Sequence, residues 1–432
     1  MKKFLFIYFF LGFVQIKAQN LYFPPLTGTV WETTAPDKLG WCTDKIDPLY
    51  TYLQQTNTKG FMVLKDGRIV LEKYFGTFTS DSLWYWASAG KSLTSTLVGI
   101  AQQEGLLNIN NPTSKYLGKG WTSETAAKED LITVKNQLTM TTGFDDSGNK
   151  DCTLPTCFNY LADAGKRWAY HNGPYTILDK VIESASGVTM NQFLNTRVKA
   201  KTGMSGIYIK SGDNNVYFSN VRSMARYGLL MLNKGTWNTT KVLNDAAYFT
   251  AATTTSQQLN LSYGYLWWLN GKASFMLPTL QTVFQGTLTS NAPADMFSAL
   301  GKNGQIINIV PSQNLVLIRM GNSDGSPVPT IYVNEIWKRF SQITCKPIAT
   351  SDFEGLKLNI YPNPSSDFIS IDIDFEIQNT DIQIINNKGE TINVVLNENK
   401  LNIQDFPNGV YQIVLKHDDN IYHDRVVVIH NN

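Results

Sequence analysis

Strand-like runs stand at both ends of the first 345 residues, with helical patterns between them. The N-terminal pair is "GFMVLKDGRIVLEKYFG", residues 60–76, two apolar runs joined at Lys65-Asp66-Gly67, a hairpin signal. The C-terminal set is "YGYLWWL" at 263–269, "GQIINIV" at 304–310, the turn "PSQN" and "LVLIRMG" at 315–321. Helical periodicity covers Thr43 to Gln55, the stretch where Leu93, Leu97, Ile100 and Ala101 share a face before Gly105, Tyr175 to Ser184, Val221 to Leu232, and "IYVNEIWKRF" at 331–340. Strands that are far apart in sequence, with helices between them, predict an α+β fold: one antiparallel sheet assembled from both ends and covered by helices.

The pattern changes after this region. Residues 356–432 carry short alternating runs ("FISIDIDF", "DIQIINN", "GVYQIVL", "RVVVIH") spaced by Asn, Asp and Gly, which read as a small β-sandwich. The first 18 residues read as a secretory signal: Lys2 and Lys3, an apolar run from Phe4 to Val14, and a small residue at Ala18. The expected organisation is therefore a signal peptide at 1–18, a main domain at 19–345, a linker at 346–355 and a small domain at 356–432. No later segment reaches the roughly 20 apolar residues of a membrane helix. A formal charge of +2 across 432 residues gives no footprint for nucleic acid. Four cysteines in an exported chain favour disulfides. Three pairings are open, and the favoured one closes the short loop between Cys152 and Cys157 and clips the main domain's ends through Cys42 and Cys345.

The chemistry concentrates in "WYWASAGKSLTSTLVGI", residues 84–100. Ser88 and Lys91 are three apart at the start of a helix, so the lysine amine lies on the serine's face. A serine hydroxyl becomes a useful nucleophile when a neighbouring base takes its proton, and a buried lysine can serve. The same spacing at Ser147 and Lys150 falls in a turn-rich loop with no helix to hold it. His171 is the only histidine before residue 350, no G-x-S-x-G elbow is present, and no histidine pair has metal-ligand spacing, so triad and metal hydrolysis are poorly supported. Tyr170 and Asn172 form Tyr-x-Asn just ahead of a helix. A tyrosine near a lysine can have its phenol pKa lowered and share the proton, and the asparagine amide can bond the lysine and a substrate carbonyl. Tyr-x-Asn recurs at Tyr332/Asn334, in a helix-like run where the ring reads as core, and at Tyr361/Asn363 in the small domain.

These residues, with "EGLLNINNPTSKYLG", "ITVKNQLTMTTGF", "MARYGLLMLNKGTW" and "YGYLWWL" in that order, make residues 40–340 resemble the serine β-lactamase and penicillin-binding-protein-like superfamily, in its class C and esterase branch. The resemblance implies a β-lactamase/transpeptidase-like sheet with a helical subdomain and no cofactor. It also implies an acyl-enzyme with Ser88 as nucleophile, Lys91 and Tyr170 as shared base, and Asn172 as positioning residue. The family's third motif, Lys-Thr-Gly or a variant, lies on a strand beside the serine. The literal "KTG" at Lys201 to Gly203 sits at a helix end, so Lys302-Asn303-Gly304 is the better candidate. There Gly304 would admit substrate and the Gln305 N–H would complete an oxyanion hole with that of Ser88. Asn303 in place of threonine weakens the case for substrate carboxylate recognition and β-lactam turnover.

The small domain resembles the type A sorting domain of the type IX secretion system of Bacteroidetes, on "NIYPNPSSDFISI", "NNKGE" and "FPNGVYQIVL". That implies passage through the outer membrane by the secretion machinery and a secreted or cell-surface location. The functional expectation is a secreted serine hydrolase of an ester or amide. The alternatives are a D-amino-acid peptidase or β-lactamase on cell-wall-like substrates, and a catalytically silent binding protein of the same fold. The aromatic stretches "LWYWAS", "RWAYH" and "YLWWL" read as core packing or as the walls of an apolar pocket.

Overall fold

The computed structural model describes residues 21–323, 329–345 and 356–430, apart from 374, 376–381, 387–390, 393, 395, 398 and 418–419. The expected signal peptide and the linker lie outside the described residues. The chain divides into two compact units, one ending at Cys345 and the other beginning at Lys346.

In chain order, the elements that matter in the first unit are α1 (Ile46–Gln55), β1 (Thr58–Lys65), β2 (Arg68–Tyr74), α2 (Gly90–Gln103), α3 (Asn172–Ser186) and α4 (Val221–Leu232). They are followed by β3 (Trp268–Leu269), β4 (Phe297–Gly301), β5 (Gln305–Val310), β6 (Leu315–Gly321) and α5 (Pro329–Ile343). The six strands form one antiparallel sheet in the order β2-β1-β6-β5-β4-β3, so β1 from the N-terminal end pairs with β6 from the C-terminal end. The β1–β2 turn has Asp66 at φ 52° and Gly67 at φ 81°, the left-handed pair that matches the twist of a two-residue hairpin. β5 and β6 are buried along their whole length, which is why they read as continuous apolar runs.

Two disulfides form, Cys42–Cys345 and Cys152–Cys157, with Cα separations of 5.4 and 6.1 Å. The first joins the chain just ahead of α1 to the end of α5. The run "YGYLWWL" departs from expectation: only Trp268 and Leu269 make a strand. Leu266 takes a left-handed φ of 61° and Tyr263 bridges back to Trp268, so the chain turns on itself and spends its aromatics in the core. Tyr263, Trp267 and Trp168 are each at most 1% exposed, as is Tyr332.

In the second unit, one sheet holds Gly409–His417 and Asn420–Val428 as a long hairpin, and another holds Phe368–Asp372 and Lys400–Asn402. Ile369, Ile371, Ile384, Ile413, Leu415 and Val426 fill the core between them, one alternate face from each run. No helix among the described residues is long and apolar enough to cross a membrane.

Candidate active site

Ser88 sits at a forced bend. Trp84 and Tyr85 pair with Ser219 and Phe218, and Trp86, fully buried, packs edge-on to Tyr217 and donates from Nε1 to Ser219 Oγ at 2.8 Å. Ala87 then adopts φ 46°, a left-handed conformation that an alanine takes only when its surroundings compel it. The chain passes through a 3-10 turn, Ala87–Ala89, directly into α2. Ser88 thus stands at the head of a helix, where backbone N–H groups have no intrahelical partner.

Lys91, 4% exposed, points back to Ser88 as its spacing predicts, with Nζ donating to Oγ at 3.3 Å. Its Nζ also lies 4.0 Å from the ring centroid of Tyr175 and 5.3 Å from that of Tyr170. Burial pulls its pKa from 10.5 down to about 7, with the carboxylates of Asp151 and Asp179 working in the opposite direction. Near neutral pH a large fraction of the amine is therefore unprotonated and able to accept a proton.

Tyr170 comes to the same place. Its ring stacks on Trp268 at 5.7 Å and 21°. The expected lowering of its phenol pKa does not occur: burial raises it, and the Ser88 hydroxyl pulls only partly the other way. The reason is that the phenol is closed in among the rings of Trp168, Tyr263 and Trp268, where a phenolate would be left without water. Asn172 opens α3, yet its amide bonds neither Lys91 nor Ser88; Nδ2 donates to Asp151 Oδ1 at 2.7 Å, and Oδ1 is buried without a partner. His171 is 3% exposed, packs edge-on to Phe158, and has its pKa pulled down to about 4 by burial, so it is a neutral core group.

The strand beside the serine is β4, but the residue in contact differs from the expected one. A Cβ on Gly301 would lie 2.4 Å from the Trp86 carbonyl oxygen, 2.9 Å from the Ala89 nitrogen and 3.1 Å from the Ser88 nitrogen. Only glycine lets the strand approach Ser88 so closely. Lys302, Asn303 and Gly304 form the β4–β5 turn that follows. Gly304, at φ 71°, packs instead against Arg319 and Tyr332, each within 2.8 Å of an added Cβ. Gln305 pairs with Gly301 across the hairpin, and its buried side chain bonds both the N–H and the carbonyl of Gly321. Asn303 donates to the Tyr85 hydroxyl at 2.7 Å. Of the three expected residues, the exposed Lys302 is the one that reaches the cavity at Ser88. The literal "KTG" is a helix end with Gly203 in the left-handed cap, as its sequence context suggests.

That cavity, about 280 Å³, is walled by Ser88, Tyr170, Trp268, Leu277, Leu300 and Lys302 among others. β3 pairs with β4 only at Phe297 and Ser298, so the part of β4 that runs to Gly301 has no strand partner on its outer side among the described residues.

Residues 52–337 match the sequence model of the beta-lactamase family. The chain belongs to the beta-lactamase family. Residues 359–429 match the secretion system C-terminal sorting domain, which marks the protein for type IX export to the cell surface or the medium. Among curated relatives, an uncharacterized protein of Alkalihalophilus pseudofirmus is 25% identical over 64% of this chain and 87% of its own. A provisionally named D-alanyl-D-alanine carboxypeptidase of Salmonella paratyphi B is 22% identical over 74% and 91%. A penicillin-binding protein homolog from Caulobacter crescentus superposes with a TM-score of 0.52 at 15% identity, covering 69% of this chain and 98% of that one. A likeness at that identity speaks for the fold.

Within this beta-lactamase-family site, three residues had no signal in the sequence reading. Asp151 reaches Asn172 only because the loop around Cys152–Cys157 folds onto the start of α3. Asp179 is buried on α3, where burial pushes its carboxyl up to about 7. Gly301 carries no mark in sequence beyond its place ahead of a strand-like run, and a Gly-x-x-Gly spacing with Gly304 offers two glycines with nothing local to choose between them.

Proposed function

We propose that the protein is an exported serine hydrolase that cleaves an ester or amide through a Ser88 acyl-enzyme. The observation that carries this is the Lys91 amine, unprotonated in part at neutral pH, 3.3 Å from the Ser88 hydroxyl at the wall of an open cavity. As Ser88 Oγ bonds the scissile carbonyl carbon, its proton passes to Lys91 Nζ. The negative charge that develops on the carbonyl oxygen is stabilised by the backbone N–H groups of Ser88 and Lys302, which flank the Gly301 contact. Lys91 then returns the proton, with the un-ionised Tyr170 phenol as the adjacent relay, to the departing alcohol or amine. Water enters by the same route in reverse and frees the acid. The walls at Trp268, Leu277 and Leu300 favour an apolar group beside the carbonyl.

The name of the Salmonella relative and the cationic Lys302 at the cavity support a second reading, cleavage of a D-amino-acid peptide bearing a free carboxylate. Intact-mass measurement after exposure to a fluorophosphonate, a series of p-nitrophenyl esters, a D-alanyl-D-alanine peptide and a penicillin separates the two. An adduct on wild type that is absent from Ser88→Ala is the expected result. No adduct from any of the four reagents would sink the acyl-enzyme reading.

A further inference from the structure

Asp151 sits on a loop held at several points. Its own N–H donates to Asn149 Oδ1 at 3.1 Å, the neighbouring Lys150 carbonyl accepts from the Gly173 N–H at 2.8 Å, and the Cys152–Cys157 bridge closes the loop just beyond it. The Cys152 carbonyl oxygen is pressed so close to Gly173 that an added Cβ would come within 2.2 Å. Further back, Arg167 ties the loop through Asp146 at 2.6 Å. The loop is thus fixed against the first turn of α3, and it delivers one carboxylate to one amide, Asp151 Oδ1 to Asn172 Nδ2 at 2.7 Å. A charge-assisted bond of that length fixes the amide's orientation.

Asn172 Oδ1 is buried with no partner, and Tyr175, one turn further along the same face of α3, has its ring 4.0 Å from Lys91 Nζ. A buried carbonyl oxygen left unpaired is unfavourable, an arrangement that makes sense where a donor arrives during turnover. Lys91 becomes an ammonium when it takes the Ser88 proton, and it then has N–H groups to give. Asp151 also supplies the largest opposing charge to the burial of Lys91. Among the described residues, the other titratable groups facing Lys91 are Tyr170 ahead of α3 and Tyr175 and Asp179 on α3, while Lys302 lines the cavity that Ser88 opens on.

We propose that Asp151 is a positioning residue of this active site: it orients the Asn172 amide to receive the Lys91 ammonium and supplies the negative charge that stabilises that ammonium. The proposal rests on the acyl-enzyme reading above.

The test is the rate of Ser88 modification by a fluorophosphonate as a function of pH, in the full-length mature protein, with peptide mapping to locate the adduct. Asp151→Asn keeps an acceptor for Asn172 and removes the charge. Its midpoint for modification should move to lower pH by on the order of one unit, because losing a nearby carboxylate disfavours the ammonium. Asp151→Ala also frees the amide, so its midpoint should move down likewise and its plateau rate above the midpoint should fall roughly tenfold. Asn172→Ala breaks the tie and removes the acceptor but leaves the charge, so the rate should fall while the midpoint moves down by less than in Asp151→Asn. A wild-type midpoint in Asp151→Asn, or a wild-type rate in Asn172→Ala, overturns the proposal while the acyl-enzyme survives. Absence of any Ser88 adduct in the wild type instead removes the acyl-enzyme reading itself.

Discussion

Replacing Lys91 with methionine should make the protein more stable, by an amount that depends steeply on pH. The folded-state pKa of about 7 lies below the unfolded value of 10.5, so between those limits the unfolded chain binds more protons than the folded one. Stability therefore rises with pH across this window and is lowest below pH 7, where a buried ammonium must be carried. A shift of 3.5 units at about 1.4 kcal/mol each is a penalty of about 5 kcal/mol at pH 6, about 3 at pH 8 and about 1 at pH 10. Methionine fills much of the same volume and has no proton to lose, so the gain over wild type should follow that series. The lost Ser88 bond and ring contacts shift all points alike, so the slope is diagnostic. Asp179, raised from 3.8 to about 7, titrates across the lower edge of the window, so the comparison is made from pH 8 to 10. The assay is urea unfolding followed by tryptophan fluorescence, since all ten tryptophans precede Cys345 and report on the first unit alone. A stability difference that is flat between pH 8 and 10 would refute a depressed Lys91, and with it a lysine base at neutral pH.

Gly301→Ala should lower kcat/KM for the best ester by roughly 100-fold or more, because the new methyl meets the Trp86 carbonyl and the Ser88 nitrogen. Gly304→Ala, strained at φ 71° against Arg319 and Tyr332, should lower the melting temperature and spare kcat in the folded fraction; equal kinetic losses at the two positions would undo the assignment of Gly301. Lys302→Ala should weaken turnover of a substrate with a free carboxylate more than of a neutral ester, whereas Lys201→Ala, at a helix end, should change neither; a large kinetic loss at Lys201 would revive the literal motif. A chain ending at Cys345 should keep ester hydrolysis in solution and accumulate in the periplasm of the native host, and its normal appearance outside the cell would contradict the sorting role of the small domain.

The pairing of Ser88 with Lys91 was legible in the sequence because three residues along a helix fix a shared face through backbone geometry alone. The β1–β2 hairpin at Asp66-Gly67, α4 at its exact sequence limits, and the alternating strands of the sorting domain were legible for the same reason: each is written within one short window. What lies between windows was not. Whether Gly301 or Gly304 meets the nucleophile depends on how β4 docks against the Trp86–Ala89 bend. Asn172 could not reveal its tie to Asp151, because that carboxylate arrives from a loop folded back across 21 residues. The state of Lys91 was beyond reach too, since a lysine's pKa follows from how much water the assembled helices exclude and which carboxylates they bring near. Desolvation and approach distance are properties of packed elements, and tertiary structure alone sets them.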